Sequence, residues 1–470
     1  MTGTARIGLI GLGTMGTNLA LNIAEAGHRI AVYNRTTETT HRFHAEAGDL
    51  SAMILPAETL DTFLTSLDRP RMILLMVPAG DALDGQIAAL VPHLAPGDIL
   101  IDGGNSDWAD SRDRDAYLAQ RELRFLGLGI SGGAEGARHG PSLMAGGSDA
   151  AWQTAAPVLT SIAARFRDEP CATYFGAGGA GHYVKTVHNG IEYADMQMIA
   201  EIYGLMRDGQ KREAASIAQR FARWNEGPLE SYLVEIAAEV AATRDAETGA
   251  PLLDVIADRA GQKGTGRWTA IDAQRRAAPL PTVEAAVTAR VLSGQVGLRS
   301  EGERLFPGRE AFGPLEDDEL EAALLAGKIL AYSQGFTLLA AAREEEGWTM
   351  PLDGVARTWR AGCIIRWAML DDMSRALSAS DGTKPLAFAP AFAERLTAAL
   401  PSLRRVVTAA TSSGLPVPAL AAALQHFDQM RQARGTANMI QGLRDRFGSH
   451  GFERVDRPGE SGFHGPWRER

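Results

Sequence analysis

The sequence predicts an α/β Rossmann-type N-terminal domain with a parallel-rich sheet, followed by a large all-α domain and a C-terminal tail. Three observations carry that expectation. Short aliphatic and β-branched runs alternate with helical patterns over the first 175 residues, and a G-x-G-x-x-G run closes the first of them. From His182 onward, Ala-rich segments keep a helical period and strand alternation nearly vanishes.

In chain order, Arg6–Ile10, Arg29–Asn34, Arg71–Val77, Asp98–Ile101 and Phe125–Gly129 read as strands. Helical patterns such as Met15–Ala26 and Asp110–Glu122 separate them, as in a parallel sheet wound on both faces. Gly176-Ala-Gly-Gly-Ala-Gly181 punctuates the chain as a hinge or boundary. The first domain is therefore expected over 1–178 and the helical one over 179–434. Within the second, Gly327–Phe336 echoes Tyr183–Ile191 but lacks counterparts of Lys185 and Glu192, which points to two related halves with at most one catalytic. From Gly435 the chain is rich in Gly, Arg, His and aromatics, with too little aliphatic content for a core of its own. The segment 435–470 is expected to be a tail that packs on another surface.

At 470 residues the chain exceeds one ordinary core. Its 45% hydrophobic and 22% charged residues are those of a soluble globular protein. No uninterrupted run of about 18 apolar residues stands out as a membrane span, and the N-terminus runs into a strand without a signal-peptide layout. Only two cysteines, Cys171 and Cys363, lie far apart, giving neither a disulfide framework nor a zinc spacing. A cytoplasmic location and a metal-free site follow as expectations. The net charge of −10 argues against nucleic acid as the partner, so an anionic ligand would depend on a local cluster of Arg and Lys.

The nucleotide end is legible in Gly11-Leu12-Gly13-Thr14-Met15-Gly16, between the first strand and the first helix. The first Gly makes the turn, the second admits the pyrophosphate and the third brings helix against strand, with helix amides facing the phosphates. An NAD site calls for an acid at the end of the second strand. Here that place reads Asn34-Arg35-Thr36, a cation with two hydrogen-bonding neighbours, which favours the 2′-phosphate of NADP.

The substrate end begins with Asn105, which follows the strand ending at Ile101 and so sits at the carboxyl edge of the sheet. Ser131-Gly132-Gly133 follows another strand and can offer amides to a carboxylate or phosphate. Gly261-Gln-Lys263-Gly-Thr265-Gly-Arg-Trp268 is a Gly-rich cationic loop suited to a monophosphate, and Arg290 and Arg444 are further cationic candidates. The densest signal is Gly181–Gln197. As a helix it sets Lys185, His188, Asn189, Glu192 and Tyr193 within an arc of roughly 140°. Val184, Val187, Ile191, Ala194 and Met198 gather opposite and should pack inward. A solvated face would favour interchangeable Glu, Lys and Gln; His, Asn and Tyr aligned with a Lys and a Glu suggest an active-site wall.

Along its whole length the chain resembles the decarboxylating 6-phosphogluconate dehydrogenases. The likeness rests on Ile101-Asp-Gly-Gly-Asn-Ser106, Gly136–Met144, Gly181–Gln197, Gly261–Trp268, Trp359-Arg-Ala-Gly-Cys-Ile-Ile-Arg366 and Arg444–His450. The resemblance implies hydride transfer from carbon 3 of 6-phosphogluconate to NADP, loss of carbon dioxide and protonation of an enediol to ribulose 5-phosphate. It implies Lys185 as base and Glu192 as acid, with His188, Asn189 and Asn105 on substrate hydroxyls. It further implies Ser131, Gly132 and Gly133 on the carboxylate, and Tyr193, Lys263, Thr265 and Arg290 on the phosphate. Arg444 and His450 would join them from the tail of a partner in a homodimer, and Val77, Ala79 and Asn105 would touch the cofactor. Lys185 then needs burial or nearby cations to act as a base, and Glu192 needs burial to hold a proton.

Three positions depart from the family pattern: Pro78 stands where Lys is usual, Ala134 where Glu is usual, and Gly435-Thr-Ala-Asn438 replaces Leu-Pro-Ala-Asn. None removes a proposed catalytic group. The alternatives are a non-decarboxylating dehydrogenase of the 3-hydroxyisobutyrate type and a catalytically silent NADP-binding regulator. The long second helical half and the Lys263 loop weigh against the first, and the presence of Lys185 and Glu192 against the second.

Overall fold

A computed structural model describes residues 4–308, 310–380 and 382–469. Its contacts divide the chain into two compact units, Met1–Ala422 and Ala423–Arg470.

The first unit begins with the expected parallel-rich sheet. Its strands are β1 (Ile7–Ile10), β2 (Ile30–Tyr33), β3 (Ile54–Ala57), β4 (Met72–Leu75), β5 (Ile99–Asp102), β6 (Arg124–Ser131) and β7 (Ser142–Gly147). Two short strands, β8 (Arg165–Phe166) and β9 (Glu169–Pro170), form a separate hairpin before β10 (Ala172–Tyr174) joins the main sheet. The eight-stranded order is β10-β7-β6-β5-β4-β1-β2-β3. Every pair is parallel except β6 with β7, which run antiparallel in a register set by Ser131 opposite Ser142. The five strands anticipated from aliphatic runs are all present, and β3, β7 and β10 are additional. Those three are short, or carry Pro56 or Gly146 and Gly147, so no alternating or continuous apolar run announces them.

Fully buried aliphatics fill both faces of the sheet, Ile7, Leu9 and Val32 on one and Ile73, Leu75 and Leu100 on the other. Because β1 lies between β4 and β2, successive crossovers leave it in opposite directions. The carboxyl ends of β1 and β4 are thus the crevice where such sheets bind ligands.

Beyond residue 180 the first unit is helical. Helix Ala180–Gly204 runs against β6 and β7 and is buried on nearly all sides. That corrects the picture of one inward stripe and one open wall: Lys185, His188, Asn189 and Tyr193 are themselves buried. Glycines explain the close approach. A Cβ at Gly129 would lie 2.5 Å from the Cβ of Lys185, one at Gly127 would lie 2.9 Å from the His182 ring, and one at Gly181 would lie 2.5 Å from the Gly146 nitrogen. The glycine run before this helix is accordingly a site of backbone packing, with Gly179 set against the Trp108 carbonyl, and not a slack hinge.

Helix Asp317–Glu346, which carries the sequence echo, crosses the first helix where Gly335 meets Ile191 and Gly327 meets Met198. It is long and apolar enough to span a membrane by length and mean composition, although Lys328, Ser333, Gln334 and Thr337 interrupt its apolar residues. However, 83% of its apolar window is buried, as in a core helix.

The second unit includes helix Ala437–Gly448 and a loop closed by the Phe452–Phe463 bridge. Its centre is polar. Asp445 accepts hydrogen bonds from the Gly451 and Gly465 amides, each at 2.9 Å, from Trp467 Nε1 at 3.1 Å and from His464 Nδ1 at 2.6 Å. Those bonds, the Gly465 amide foremost, hold its carboxyl down at about 2.

Candidate active site

At the end of β1, Gly11 has φ +103°, and a Cβ there would lie 2.4 Å from the Met76 carbonyl oxygen of the strand β4 exit. A Cβ at Gly16 would lie 1.9 Å from the Gly11 carbonyl oxygen, so the turn closes only with glycine. Gly13 instead faces open space and leads into helix Thr14–Glu25, whose N-terminus has no side-chain cap. The first amides of that helix, including those of Thr14, Met15 and Gly16, are left for an anion. Asn34 Oδ1 accepts from the Leu12 amide at 3.1 Å and so ties the loop to the end of β2. Arg35 and Thr36 stand exposed beside it, with no acid between them.

Asn105 lies exposed just past β5, in a segment gripped from below. The fully buried Asp102 accepts from the Gly104 amide at 2.9 Å and from the Ser106 hydroxyl at 2.6 Å, one on each side of Asn105. Arg114 approaches Asp102 at 3.7 Å. Val77 lies against this segment, its carbonyl oxygen 3.4 Å from where a Gly104 Cβ would sit, while Pro78 and Ala79 are exposed.

The buried helix supplies the polar core. Lys185 Nζ is 3.2 Å from His188 Nδ1, His188 Nε2 is 3.0 Å from the Ser131 hydroxyl, and His188 Nδ1 is 3.7 Å from Glu192 Oε2. Burial pushes the Lys185 ammonium down, against the opposing charges of Glu192 and Cys363. Burial also pushes the Glu192 carboxyl up, against Lys185 and Arg290, and Asp195 adds to the rise. His188 is driven well below its ordinary range by burial and by Lys185, so it is neutral. The Lys185 and Glu192 shifts thus run in the opposite directions that a base and an acid working near neutrality would require.

At the far end of this face, Arg290 lies over the Tyr193 ring at 3.7 Å. Gly266 packs on the same ring, where a Cβ would come within 2.5 Å. Gly264, with φ +96°, caps helix Thr265–Arg275, placing Thr265 buried at its start and Lys263 exposed just before it. Ser131, Gly132 and Gly133 close the opposite side. Gly132 has φ +115° and fits so tightly that a Cβ would lie 2.6 Å from the Gly362 carbonyl oxygen.

Residues 6–176 match the NAD binding domain of 6-phosphogluconate dehydrogenase, and residues 181–467 match its C-terminal domain. The chain belongs to the 6-phosphogluconate dehydrogenase family. A decarboxylating 6-phosphogluconate dehydrogenase from Chlamydia pneumoniae is 46% identical over 98% of this chain and 97% of its own. An NAD(+)-dependent decarboxylating 6-phosphogluconate dehydrogenase from Bacillus subtilis is 43% identical over 98% and 99%. The Plasmodium falciparum 6-phosphogluconate dehydrogenase, solved apo, with its cofactor NADP+ and with its substrate 6-phosphogluconate, superposes with a TM-score of 0.94. It is 39% identical and covers 98% of this chain and 100% of that one.

In this chain the structure brings together Lys185, His188, Asn189, Glu192, Tyr193, Ser131 and Arg290. Arg444 and His450 belong to the second unit: Arg444 is exposed and donates to Gln441 at 3.2 Å, and the exposed His450 ring meets Phe447 edge-on at 6.1 Å. One wall had no assigned role at the level of sequence. In the segment Trp359–Arg366, the Trp359 ring stands edge-on to His188 at 5.7 Å, the Ile364 amide donates to Ser131 Oγ at 3.5 Å, and the buried Cys363 lies within the field of Lys185. Its motif was visible in the sequence, but a Trp and a Cys between helices read equally as core.

Proposed function

We propose that the chain catalyses oxidative decarboxylation of 6-phospho-D-gluconate to D-ribulose 5-phosphate and carbon dioxide, with reduction of NADP to NADPH. The observation that carries this reading is a Lys and a Glu on one buried helix, their proton affinities pushed in opposite directions, packed on the same sheet that carries a dinucleotide-type glycine loop. The loop fits NADP: Gly13 faces open space, the helix N-terminus is uncapped, and Arg35 takes the place of the acid that would repel a 2′-phosphate. Val77, Ala79 and Asn105 complete the cofactor contacts.

Bound NADP supplies the hydride acceptor. Lys185, neutral at the outset, takes the 3-hydroxyl proton as hydride leaves carbon 3. The ammonium so formed hydrogen-bonds the new ketone and gives it a proton as the bond to the carboxylate breaks and carbon dioxide departs. The bonding pair remains as the enediol. Glu192 protonates the enediol carbon while Lys185 takes back the hydroxyl proton. A proton passing from Lys185 to Glu192 restores the starting state, and His188 Nδ1, within 3.2 Å of one and 3.7 Å of the other, lies on that route. Asn105, His188 and Asn189 orient hydroxyls; Ser131, Gly132 and Gly133 hold the carboxylate. Tyr193, Lys263, Thr265 and Arg290 hold the phosphate, joined by the partner subunit's Arg444 and His450.

The homodimer with exchanged tails is supported by the exposed stripe Met439, Ile440, Leu443 and Phe447, at helical spacing on the tail helix. The reading places the protein in the cytoplasm, in the oxidative pentose phosphate pathway and gluconate utilisation. Its test is stoichiometry: protein given NADP and 6-phosphogluconate forms NADPH and carbon dioxide in equal amounts. NADPH without carbon dioxide would transfer the chain to the non-decarboxylating class, and neither product would remove it from the dehydrogenases.

A further inference from the structure

The loop that carries Lys263 has no regular structure of its own. Between helix Leu252–Val255 and helix Thr265–Arg275, residues 257–263 are all exposed. Among the described residues, this segment hydrogen-bonds to the rest of the chain at two positions, Asp258 and Ala260. Both bonds lead to the end of helix Pro281–Ser293, which carries Arg290. The Ser293 hydroxyl accepts from the Ala260 amide at 3.0 Å and donates to the Arg290 carbonyl at 2.7 Å. Arg299, from the following helix Val296–Leu305, makes the second tie. Its Nη1 donates to the Asp258 carboxylate at 2.6 Å, and its Nη2 donates to the carbonyls of Asp258 at 2.5 Å and Ser293 at 3.0 Å. The Asp258 side chain is 89% exposed, so the ion pair alone is a weak tether. The carbonyl bonds do more, because one planar guanidinium spans loop and helix end in a fixed geometry.

We propose that Ser293 and Arg299 are positioning residues for the substrate phosphate, locking the Lys263 loop onto the end of the helix that carries Arg290. The proposal rests on Lys263 and Arg290 holding that phosphate in the reaction above. Lys263 lies between two anchors, each three residues away. On one side Ala260 is bonded to Ser293; on the other Gly266 packs on the Tyr193 ring, over which Arg290 also lies. With both anchors in place, the two cations meet one anion from a common frame. Without the first, segment 257–263 keeps only its chain ends as supports. Binding must then order the loop, and the conformational entropy lost comes off the affinity. The bond to the Arg290 carbonyl ties the second cation into the same device: the hydroxyl that holds the loop also holds the main chain of Arg290.

The test is steady-state kinetics of the full-length enzyme with 6-phosphogluconate and NADP, with inorganic phosphate as a competitive probe of the same subsite. Arg299→Met should raise the KM for 6-phosphogluconate and the inhibition constant of phosphate about tenfold, the scale of one lost hydrogen bond from a charged group. The kcat and the NADP KM should move by less than about twofold, a split that general loss of structure would not produce. Ser293→Ala should act in the same direction, and Ser293→Thr, which keeps the hydroxyl, should restore the KM. Because Arg299 acts through Lys263, adding Arg299→Met to Lys263→Met should raise the KM little further. If Arg299→Met does not fold, the Ser293 pair of variants carries the same test. A folded Arg299→Met or Ser293→Ala with wild-type KM and phosphate inhibition, or with a loss in kcat alone, overturns the proposal. Full additivity of Arg299→Met with Lys263→Met does the same. Lys263→Met separates the two ideas: a wild-type KM there removes Lys263 from the phosphate and this proposal with it. A raised KM in Lys263→Met beside a wild-type KM in Arg299→Met removes this proposal alone.

Discussion

His188 Nδ1 lies 3.2 Å from Lys185 Nζ and 3.2 Å from Asn189 Oδ1, and one neutral imidazole nitrogen cannot accept from the first while donating to the second. The proton on Lys185 and the tautomer of His188 are therefore coupled. When Lys185 is an ammonium, Nδ1 accepts and Nε2 donates to Ser131, and the Asn189 amide must then turn its NH2 toward the ring. When Lys185 is neutral, the opposite tautomer is available. Ser131, 3.0 Å from the other ring nitrogen, reports the same switch.

Removing the base tests this arrangement directly. Lys185→Met should bind NADP and 6-phosphogluconate with near-normal affinity yet lose about 10²–10⁴ in kcat, the range for a lost general base. Calorimetry and single-turnover kinetics separate the two effects. In the wild type, burial lowers the Lys185 pKa, so the acid limb of the kcat profile should fall below the ordinary lysine range. Near-normal turnover in the variant would exclude Lys185 as the base.

Arg35→Ala should erode the preference for NADP over NAD by about tenfold or more, the scale of one charge-assisted contact to phosphate. The ratio of kcat/KM for the two cofactors measures it. An unchanged ratio would take Arg35 out of that role.

Gly129→Ala should impair the site from outside it. The added methyl would fall 2.5 Å from the Lys185 Cβ, forcing the helix off β6. Overpacking of this kind costs about 1–3 kcal/mol, read as a lower melting temperature, with kcat falling more than ligand affinity. Wild-type kcat in Gly129→Ala would mean that helix and sheet are not held in close register.

Glu201 predicts a pH dependence of stability. Its two oxygens accept from the amides of Ala419 and Leu420 at 2.8 and 3.0 Å, and burial raises its pKa from 4.5 to about 7. A carboxyl with a raised folded-state value contributes most when protonated. Its stabilising effect is complete below the unfolded value of 4.5 and is lost as pH rises through about 7. The loss is about 3 kcal/mol. Glu201→Gln should flatten the fall in melting temperature across that window, and an unaltered slope would assign it to other groups.

The fold was legible wherever a strand carried an uninterrupted aliphatic run, as in Met72–Leu75 or Ile99–Asp102. It was illegible where the chain turned antiparallel through Ser142–Gly147, because glycines at close approaches erase the alternation that marks a strand. In the site, the polar face of Gly181–Gln197 stood out because helical spacing aligned residues that solvent does not select. Asp102, Asp195 and Lys328 were hidden for the opposite reason. A lone Asp or Lys on a helix or at a strand end reads as solvated, and only tertiary packing reveals it as buried. The polar hub at Asp445 was likewise invisible, since composition shows that a tail lacks aliphatics but not that one carboxylate can organise it.

Gly127, Gly129, Gly146 and Gly181 let the Lys185 helix lie on main chain and not on a cushion of side chains. Side chains can swap rotamers to absorb a change elsewhere; main chain in a sheet cannot. Lys185 and the glycine loop after β1 are consequently fixed to one common scaffold, and the distance between them is a dimension of that scaffold. Variation in the outer helices can alter what surrounds Lys185, while its separation from the glycine loop stays constant unless the sheet itself is rebuilt.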